Sequence, residues 1–294
     1  MTTIRIPPQL SDAVEEDDYP LRRAWLEALP AQIAELAAAW ELELGDPYLP
    51  GGQCAWVAPA WTPAGDERVL KVGRRHREAE HEADGLRHWN GQGAVRCFAT
   101  RSLKDTTALL LERCVPGAQL KRCLPEPEQD EVIAGLLRRL WEREPHDQHP
   151  FGSLQDMCDR WAECVELALE MSAGRVDPGV ARAGAAMLRE LARTAERTVL
   201  LCTDLHAENV LAARREPWLV IDPKPFVGDP AFDPVQHILN CDQRLAVDPA
   251  GIADRMAELC QVEAERVRLW LFARCAQESP NDPTLRTVAL KLAP

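Results

Sequence analysis

Residues Leu200 to Pro225 read LLCTDLHAENVLAARREPWLVIDPKP, and this stretch decides the fold. Asp204 and Asn209 lie five positions apart in a short polar loop between two apolar runs. Asp222 comes directly after the next apolar run, residues 218–221, which has the length and composition of a short β-strand. The stretch therefore predicts a loop and strand that carry two carboxylates and one amide.

An Asp, an Asn and a second Asp in this order are the parts that protein kinases use for phosphoryl transfer from Mg-ATP. In that chemistry Asp204 accepts the proton of the acceptor hydroxyl, while Asn209 and Asp222 supply oxygen ligands to Mg²⁺. The Asp-x-x-x-x-Asn spacing alone is a weak signal, because acidic residues are frequent and match by chance. The alternative is a set of ordinary turn residues. The apolar runs around the loop favour the catalytic interpretation.

Two further polar residues of the stretch have open roles. His206 is interpreted mainly as a residue that orders the loop backbone, with metal ligation or base catalysis as alternatives. Lys224 lies two residues after Asp222 and either approaches the γ-phosphate of ATP or is an exposed loop lysine.

Composition narrows the function classes. The 294 residues include 46% hydrophobic and 28% charged residues, as in soluble globular proteins, and the formal net charge is −13. A negative balance argues against nucleic acid, whose affinity depends on Lys and Arg. The ten cysteines have no Cys-x-x-Cys spacing, and the first residues lack the apolar core of an export signal. We expect a cytoplasmic monomer that does not bind membranes.

The hydrophobic pattern predicts an α+β, bilobal fold: a small antiparallel-sheet N-lobe at 1–115 and a larger, mainly helical C-lobe at 116–294. Residues 1–18 are predicted as a flexible leader, and a helix over 21–42 contains Pro30, which is expected to kink or split it. The other predicted N-lobe elements are strands near 53–61, 68–72, 94–99 and 107–112 and a charged segment at 74–89. The predicted C-lobe helices are 127–143, 153–173, 178–197, 231–240, 249–260 and 262–278.

Lys71 ends an apolar strand-like run, Val69–Val72, in the predicted N-lobe. A lysine that faces inward there needs an anion, and in a kinase the anion is the α/β-phosphate group of ATP. The following segment offers Glu78 and Glu82 as partners for the lysine, and Leu86 one turn later favours Glu82. The alternative is an edge lysine beside a solvated acidic helix face.

Two other segments are placed where a nucleotide binds. Gly51 and Gly52 precede the first predicted strand and are candidates for a phosphate-covering loop, although an ordinary turn explains them almost as well. Glu112, Arg113 and Cys114 lead from the last strand into the predicted hinge at Val115–Gly117. Their backbone groups are expected to pair with adenine, on the strength of position alone.

These segments together resemble the aminoglycoside phosphotransferase family, and within it the streptomycin 6-phosphotransferase and hydroxyurea phosphotransferase branch. The similarity extends over about 69–235, with looser similarity to Trp270. The segments that carry it are VLKV at 69–72, EADGLR at 82–87, GQGAVR at 91–96, LERC at 111–114 with Pro116-Gly117, DLHAEN at 204–209 and WLVIDP at 218–223.

The resemblance implies a kinase-like fold that uses ATP and Mg²⁺. It implies Lys71 on phosphate with Glu82 as partner, and residues 112–114 on adenine. Asp204 is implied as base, with Asn209 and Asp222 on Mg²⁺. The family usually has His-Gly before the catalytic Asp, whereas this chain has Cys202-Thr203, which changes the expected loop geometry.

The acceptor is expected to be a small molecule with a hydroxyl group. If it is a polycationic aminoglycoside, carboxylates should line its pocket, and Asp229, Asp233, Asp242 and Glu278 are the candidates. The segment 224–233 looks closer to hydroxyurea phosphotransferases, whose acceptor is small and uncharged. The alternatives are a kinase of an endogenous hydroxylated metabolite and a nucleotide-binding pseudoenzyme that acts as an interaction module. A metal-dependent hydrolase is disfavoured because the sequence has no His-rich ligand cluster.

Overall fold

The computed structural model describes residues 4–15, 20–171 and 177–294. The chain forms two compact units, of which unit 1 comprises residues 1–91 and 95–117 and unit 2 comprises 92–94 and 118–294. The predicted boundary lay two residues earlier, after residue 115. The short 92–94 segment belongs to unit 2 because Val220 donates its N–H to the carbonyl of Gly93, 2.9 Å away.

Unit 1 is built on one antiparallel sheet. Its strands are β1 (Glu43–Leu44), β2 (Ala55–Trp61), β3 (Glu67–Arg74), β4 (Cys97–Ser102) and β5 (Thr106–Glu112), in the spatial order β1-β2-β3-β5-β4. Its helices are α1 (Pro8–Glu15), α2 (Pro20–Ala39) and α3 (Glu82–Trp89). The central strand β3 pairs on both sides, so its side chains are held in register by two neighbours.

Helix α2 covers the sheet with one apolar stripe. The buried residues Trp25, Leu29, Ile33 and Leu36 recur every three or four positions, which places them on one helix face. They form one core cluster with buried residues of β2 and β3, among them Trp56. The helix contains Pro30 but is not split there, contrary to one of the two predicted outcomes.

Unit 2 is mainly helical. Its helices are α4 (Leu120–Cys123), α5 (Glu126–Trp141), α6 (Leu154–Met171), α7 (Pro178–Arg193), α8 (Pro234–Leu239), α9 (Asp242–Val247), α10 (Pro249–Cys260), α11 (Ala264–Glu278) and α12 (Pro283–Leu292). Its short strands are β6 (Gly152–Ser153), β7 (Val199–Leu201), β8 (Val210–Ala212), β9 (Trp218–Val220) and β10 (Phe226–Gly228). Strand β10 lies between β6 and β7, and β8 and β9 form a hairpin.

The predicted α+β class is confirmed. The prediction of a flexible leader is wrong for residues 8–15, which form α1, while 1–3 and 16–18 lie outside the described residues. Strand β4 begins at Cys97, three residues later than predicted. The predicted helix at 153–173 ends at Met171, and its last two positions are also outside the described residues. No helix among the described residues is long and apolar enough to cross a bilayer.

Candidate active site

Lys71 and Glu82 form a buried ion pair in unit 1. Lys71 lies on the central strand β3, opposite Val57 of β2 and Leu109 of β5. Its Nζ is 2.7 Å from both carboxylate oxygens of Glu82, the first residue of α3. The side chains are only 12% and 3% exposed, and each charge offsets part of the desolvation cost of the other. The structure thus chooses Glu82 over Glu78 as the partner of the lysine.

The glycines predicted to cover phosphate lie in the loop that joins β1 to β2. Gly51 has φ +89°, and a Cβ there would lie 2.6 Å from the Cβ of Pro7. Glycine at this position is therefore required by the backbone itself. Gly52 is exposed, and the nearest atom to an added Cβ is the carbonyl of Ala55 at 3.6 Å. A role for either glycine on phosphate stays a prediction.

The side chains of Glu112 and Arg113, at the end of β5, contact other residues of unit 1. Glu112 exchanges two hydrogen bonds with Arg96, because its N–H donates to the Arg96 carbonyl at 2.8 Å and its Oε2 accepts from the Arg96 N–H at 3.0 Å. Arg113 pairs with Glu67 at 3.1 Å and lies 5.2 Å from the ring centre of Trp61. Recognition of adenine by residues 112–114 would therefore use backbone groups, and it stays a prediction.

The hairpin of β8 and β9 brings the three residues of the predicted catalytic set together. Val210 lies opposite Val220, and the N–H of Ile221 donates to the carbonyl of Asn209 at 2.9 Å. Asp222 follows directly, with φ +53°. The amide of Asn209 donates from Nδ2 to the backbone carbonyl of Asp204 at 3.0 Å, which leaves Oδ1 as its remaining acceptor. An amide oxygen beside a carboxylate is a hard donor set that fits Mg²⁺.

Lys224 binds the predicted catalytic base. Its Nζ lies 2.7 Å from Oδ2 of Asp204, and both side chains are partly exposed. Its backbone N–H donates to the carbonyl of Cys202 at 2.9 Å, which fixes the segment after Asp222 against the start of the loop. The alternative of an exposed loop lysine is therefore wrong, since Lys224 is half-buried and paired with Asp204.

Thr203 lies at the position before Asp204 where the family usually has glycine, and its backbone is left-handed. Its φ is +50°, which is unusual for a β-branched residue. Its N–H donates to Oδ1 of Asp233 at 2.7 Å, and its hydroxyl donates to the carbonyl of Lys224 at 2.5 Å. The N–H of Cys202 and the indole N–H of Trp141 donate to the other oxygen of Asp233, at 3.0 and 2.9 Å. These bonds hold the loop in the required shape without glycine.

Two carboxylates predicted to line an acceptor pocket are instead buried structural groups. Asp233 is completely buried, and both its oxygens are used by the catalytic loop and Trp141. Burial raises the pKa of Asp233 to about 6 even though the three hydrogen bonds oppose the shift. Asp229 is also buried and accepts from the N–H of Ala231, the indole of Trp270 and the guanidinium of Arg266. The prediction of acceptor contact is wrong for both.

The other two predicted pocket carboxylates are not buried in this way. Asp242 is exposed at the start of α9, and Glu278 is partly exposed with a carboxylate oxygen 3.5 Å from Arg274. Contact of these two with an acceptor stays a prediction.

A buried charge network in unit 2 was not predicted. Asp130 accepts two hydrogen bonds from Arg244, at 3.0 and 2.7 Å, one from Arg255 at 2.9 Å and one from Nε2 of His237 at 3.0 Å. Cys241 lies close by, but the arginines occupy both oxygens of Asp130, so the group is not suited to bind a metal. The sequence does indicate that Asp130 is buried. Asp130 lies on the same face of α5 as the buried apolar residues Ile133, Ala134 and Leu137.

His206 has no hydrogen-bond partner for its buried Nδ1 among the described residues. Burial lowers the pKa of His206, and the nearby charge of Asp204 opposes this shift. Its backbone carbonyl accepts from the N–H of Asn209 at 2.9 Å, but this bond does not involve the imidazole, so the role of the His206 side chain stays a prediction.

Comparison with solved structures identifies the fold. Solved structures share the fold: a macrolide 2′-phosphotransferase from Brachybacterium faecium has a TM-score of 0.58 at 16% identity, covering 91% of this chain and 98% of that one. An aminoglycoside phosphotransferase from Streptomyces rimosus, solved with ADP and streptomycin, has a TM-score of 0.55 at 18% identity, covering 87% and 99%. The fold is therefore the bilobal, protein-kinase-like fold of small-molecule phosphotransferases.

Sequence similarity identifies the family. The family described as aminoglycoside/hydroxyurea antibiotic resistance kinase matches residues 42–280. A streptomycin 6-kinase of Streptomyces griseus is 32% identical over 284 residues, covering 94% of this chain and 90% of the relative. A hydroxyurea phosphotransferase of Kitasatospora aureofaciens is 32% identical over 282 residues, covering 93% and 79%. The chain belongs to the aminoglycoside/hydroxyurea antibiotic resistance kinase family, which confirms the resemblance seen in its motifs.

Proposed function

We propose that this protein is an ATP- and Mg²⁺-dependent kinase that inactivates an antibiotic by phosphorylating a hydroxyl, with streptomycin-type aminoglycosides and hydroxyurea as the candidate acceptors. One observation carries the proposal. The β8–β9 hairpin and its hydrogen bonds assemble Asp204, Asn209 and Asp222 in one loop region, where a kinase needs a base and two metal ligands. The relatives named for streptomycin and hydroxyurea support the choice of acceptors.

Asp204 is assigned as the base that orients the acceptor hydroxyl and takes its proton as the bond to phosphorus forms. Lys224 holds Oδ2 of Asp204 at 2.7 Å, so one carboxylate oxygen is fixed and the other is left for the acceptor. A carboxylate that holds the acceptor hydroxyl in a reactive orientation supplies a large part of catalysis in phosphoryl transfer. Lys224 also adds a positive charge near the oxygens on which negative charge develops.

Lys71 is assigned to the phosphates of ATP. The pair with Glu82 fixes its ammonium group at 2.7 Å from two oxygens, so little side-chain entropy remains to be lost when phosphate binds. Asn209 and Asp222 are the residues that would hold Mg²⁺, which neutralises phosphate charge when bound. The backbone of residues 112–114 is assigned to adenine.

The test is an acceptor screen with the purified chain, ATP and MgCl₂. ADP formation is followed with hydroxyurea, with streptomycin and with no acceptor, and ³¹P NMR identifies any phosphate ester. We expect acceptor-dependent ADP formation that disappears with excess EDTA and in Asp222→Ala. Absence of acceptor-dependent ADP formation with both hydroxyurea and streptomycin would refute the proposed activity.

We also propose that the protein acts in the cytoplasm, where ATP is available. All ten cysteines are free thiols, and five of them are buried. Free thiols are typical of proteins that fold in a reducing compartment.

A further inference from the structure

An open groove runs along α5 in unit 2. It has a volume of about 680 Å³ and is bounded by α5, the start of β9 and the turn between α10 and α11. This volume lies within the roughly 300–1,000 Å³ that pockets for small molecules occupy. The apolar part of its lining includes Val132, Leu136, Pro217, Trp218 and Val262.

A glycine in the middle of α5 forms part of the groove. Gly135 weakens the helix relative to alanine, because glycine loses more backbone entropy on folding. Its φ is not left-handed, and an added Cβ would meet no atom within 4 Å, so the fold itself does not require glycine there. Gly184 of α7 is different, since an added Cβ would lie 2.4 Å from the Cβ of Ala276. The missing side chain of Gly135 therefore leaves room for a ligand to approach the helix.

Two charged residues of the lining are already compensated. Arg139 lies 2.7 Å from a carboxylate oxygen of Glu216, and Glu131 lies 3.4 Å from a guanidinium nitrogen of Arg255. These pairs add no net charge to the groove.

The remaining charge of the groove is positive. Arg197 donates from Nη2 to the carbonyl of Trp141 at 3.1 Å, and neither Arg197 nor Arg138 forms an ion pair with a carboxylate of the described residues. Burial raises the pKa of the Cys260 thiol to about 12, and the charge of Arg138 opposes this shift, so the guanidinium lies near the wall that Cys260 forms. Glu142 is the opposing charge. Two guanidinium groups thus face one carboxylate, in a chain whose formal net charge is −13.

These features select an organic anion. A guanidinium group binds a carboxylate, sulfonate or phosphate with two parallel hydrogen bonds. The half-buried Trp218 and the apolar lining contact a flat ring better than they contact water. A cation with the same ring would be repelled by Arg138 and Arg197, and an inorganic anion would leave the apolar lining exposed to water.

The groove is connected to the catalytic loop by three hydrogen bonds in series. Arg197 donates to the carbonyl of Trp141, and the indole N–H of Trp141 donates to Oδ2 of Asp233 at 2.9 Å. The other oxygen of Asp233 accepts from the N–H of Thr203 at 2.7 Å, directly before Asp204. A ligand that binds Arg197 therefore acts on the residue that holds the indole against Asp233.

We infer that this groove is an effector site for a small organic anion with a flat apolar body, and that its occupancy is transmitted to the catalytic loop through Arg197, Trp141 and Asp233. Its lining contains none of the residues assigned to ATP, Mg²⁺ or the acceptor hydroxyl, so the inference goes beyond the proposed function. Arg197 and Trp141 act through Asp233 and are positioning residues.

The test is a titration of the whole chain, labelled with ¹⁵N in its tryptophans, with 1-naphthaleneacetate. The indole N–H signals of Trp218 and Trp141 are followed by NMR, and ADP formation is measured in parallel. The ammonium analogue 1-naphthalenemethylammonium has the same ring with the opposite charge, and sulfate has the negative charge without the ring. Arg138→Gln removes one positive charge, and Gly135→Ala places a methyl group in the groove. Arg182→Gln is the matched control, because Arg182 is exposed on α7 and does not line the groove.

We expect 1-naphthaleneacetate to shift the signals of Trp218 and Trp141 with the same Kd, because one binding event affects both. Arg138→Gln should raise this Kd about 3- to 10-fold, between the effect of an exposed ion pair and that of a hydrogen bond to a charged group. Gly135→Ala should also raise it, whereas Arg182→Gln should leave it unchanged. The kcat for ADP formation should change with the same midpoint concentration. The ammonium analogue and sulfate should bind at least about 10-fold more weakly, a difference of about 1.4 kcal/mol.

Several results would overturn the inference. One is the absence of any shift with 1-naphthaleneacetate, and another is equal affinity for the ammonium analogue or for sulfate. Equal affinity of wild type, Arg138→Gln and Gly135→Ala would show that the anion binds elsewhere. A shift of Trp218 without a shift of Trp141 or a change in kcat would overturn the transmission to the catalytic loop. Absence of ADP formation under every condition would refute the proposed function, while the two indole signals would still decide the effector site.

Discussion

Replacing Asp130 by Asn should destabilise unit 2 because a single buried carboxylate cross-links four helices. Asp130 on α5 accepts hydrogen bonds from His237 on α8, Arg244 on α9 and Arg255 on α10, all at 2.7–3.0 Å. Asparagine has the same shape but only one acceptor oxygen and no charge. Two guanidinium groups would then face an amide that cannot compensate them.

The magnitude follows from the pKa. Four hydrogen bonds hold the pKa of Asp130 at about 2, below the usual 3.8, even though burial acts in the opposite direction. Because one pKa unit corresponds to about 1.4 kcal/mol, this difference is worth roughly 2.5 kcal/mol at neutral pH. Breaking a buried ion pair by removing one partner typically costs about 3–5 kcal/mol. We therefore expect Asp130→Asn to lose about 3 kcal/mol.

The pH dependence has a definite sign. The folded-state pKa of Asp130 is below the unfolded-state value, so its stabilisation is present above about pH 4 and is lost as the pH falls toward 2. The difference in unfolding free energy between wild type and Asp130→Asn should therefore be largest near neutral pH and shrink below pH 4.

The assay is urea and thermal unfolding of both proteins between pH 7 and pH 3, followed by circular dichroism. At pH 7 a loss of about 3 kcal/mol corresponds to a decrease in Tm of about 6–12 °C for a domain of this size. Glu131→Gln is the matched control, since Glu131 is the next residue on α5, contacts Arg255 at 3.4 Å and is 65% exposed. An exposed pair of this kind contributes at most about 1 kcal/mol. Equal stability of Asp130→Asn and Glu131→Gln at pH 7 would refute the reasoning.

Four further substitutions test other parts of the account. Lys71→Met removes the ammonium assigned to phosphate, so kcat/KM for ATP should fall about 100-fold or more in initial-rate assays, and an unchanged value would remove the lysine from the nucleotide site. Thr203→Val keeps the side-chain shape but loses the hydrogen bond to the Lys224 carbonyl, so urea unfolding should show a loss of about 1–2 kcal/mol, with lower kcat. Gly184→Ala brings a Cβ to 2.4 Å from a side chain of α11 and should cost about 1–3 kcal/mol in urea unfolding, whereas Gly135→Ala meets no atom within 4 Å and should stabilise the protein by about 0.5–1 kcal/mol. Similar effects of the two glycine substitutions would contradict the close approach of α7 to α11 at Gly184.

The sequence predicted those parts of the site that depend on local structure. Lys71 and Glu82 are eleven residues apart, and a strand followed by a helix determines their relative position. Asp222 follows the apolar run 218–221, which was predicted as a strand and forms β9, whereas its partner strand β8 after Asn209 was not predicted. For residues that are close in sequence, the hydrophobic periodicity of their neighbours predicts most of their relative placement.

The burial of acidic residues in unit 2 was not predictable in this way. Asp229 and Asp233 look like exposed acidic residues, yet they are buried against Trp270 and Trp141, which lie 41 and 92 residues away in sequence. His237 is likewise buried against Asp130, which lies 107 residues away in sequence. These side chains are buried by tertiary packing between distant parts of the chain, which a local sequence pattern cannot predict.

Short elements were missed for a different reason. Strands β7, β8 and β10 have three residues each, and α9 has six, so each is too short to show a period. The left-handed conformation of Thr203 was also unpredicted, because its hydrogen bonds to Asp233 and Lys224 stabilise a shape that the residue type disfavours.

The most direct test of the central claim is a single-turnover measurement of Asp204→Asn with ATP, Mg²⁺ and an acceptor that wild type phosphorylates. Asparagine keeps the shape of the side chain but cannot take the acceptor proton. The account predicts that the rate of phosphoryl transfer falls by about 100- to 10,000-fold while the Kd for ATP stays close to the wild-type value. Transfer at a rate near that of wild type would contradict it.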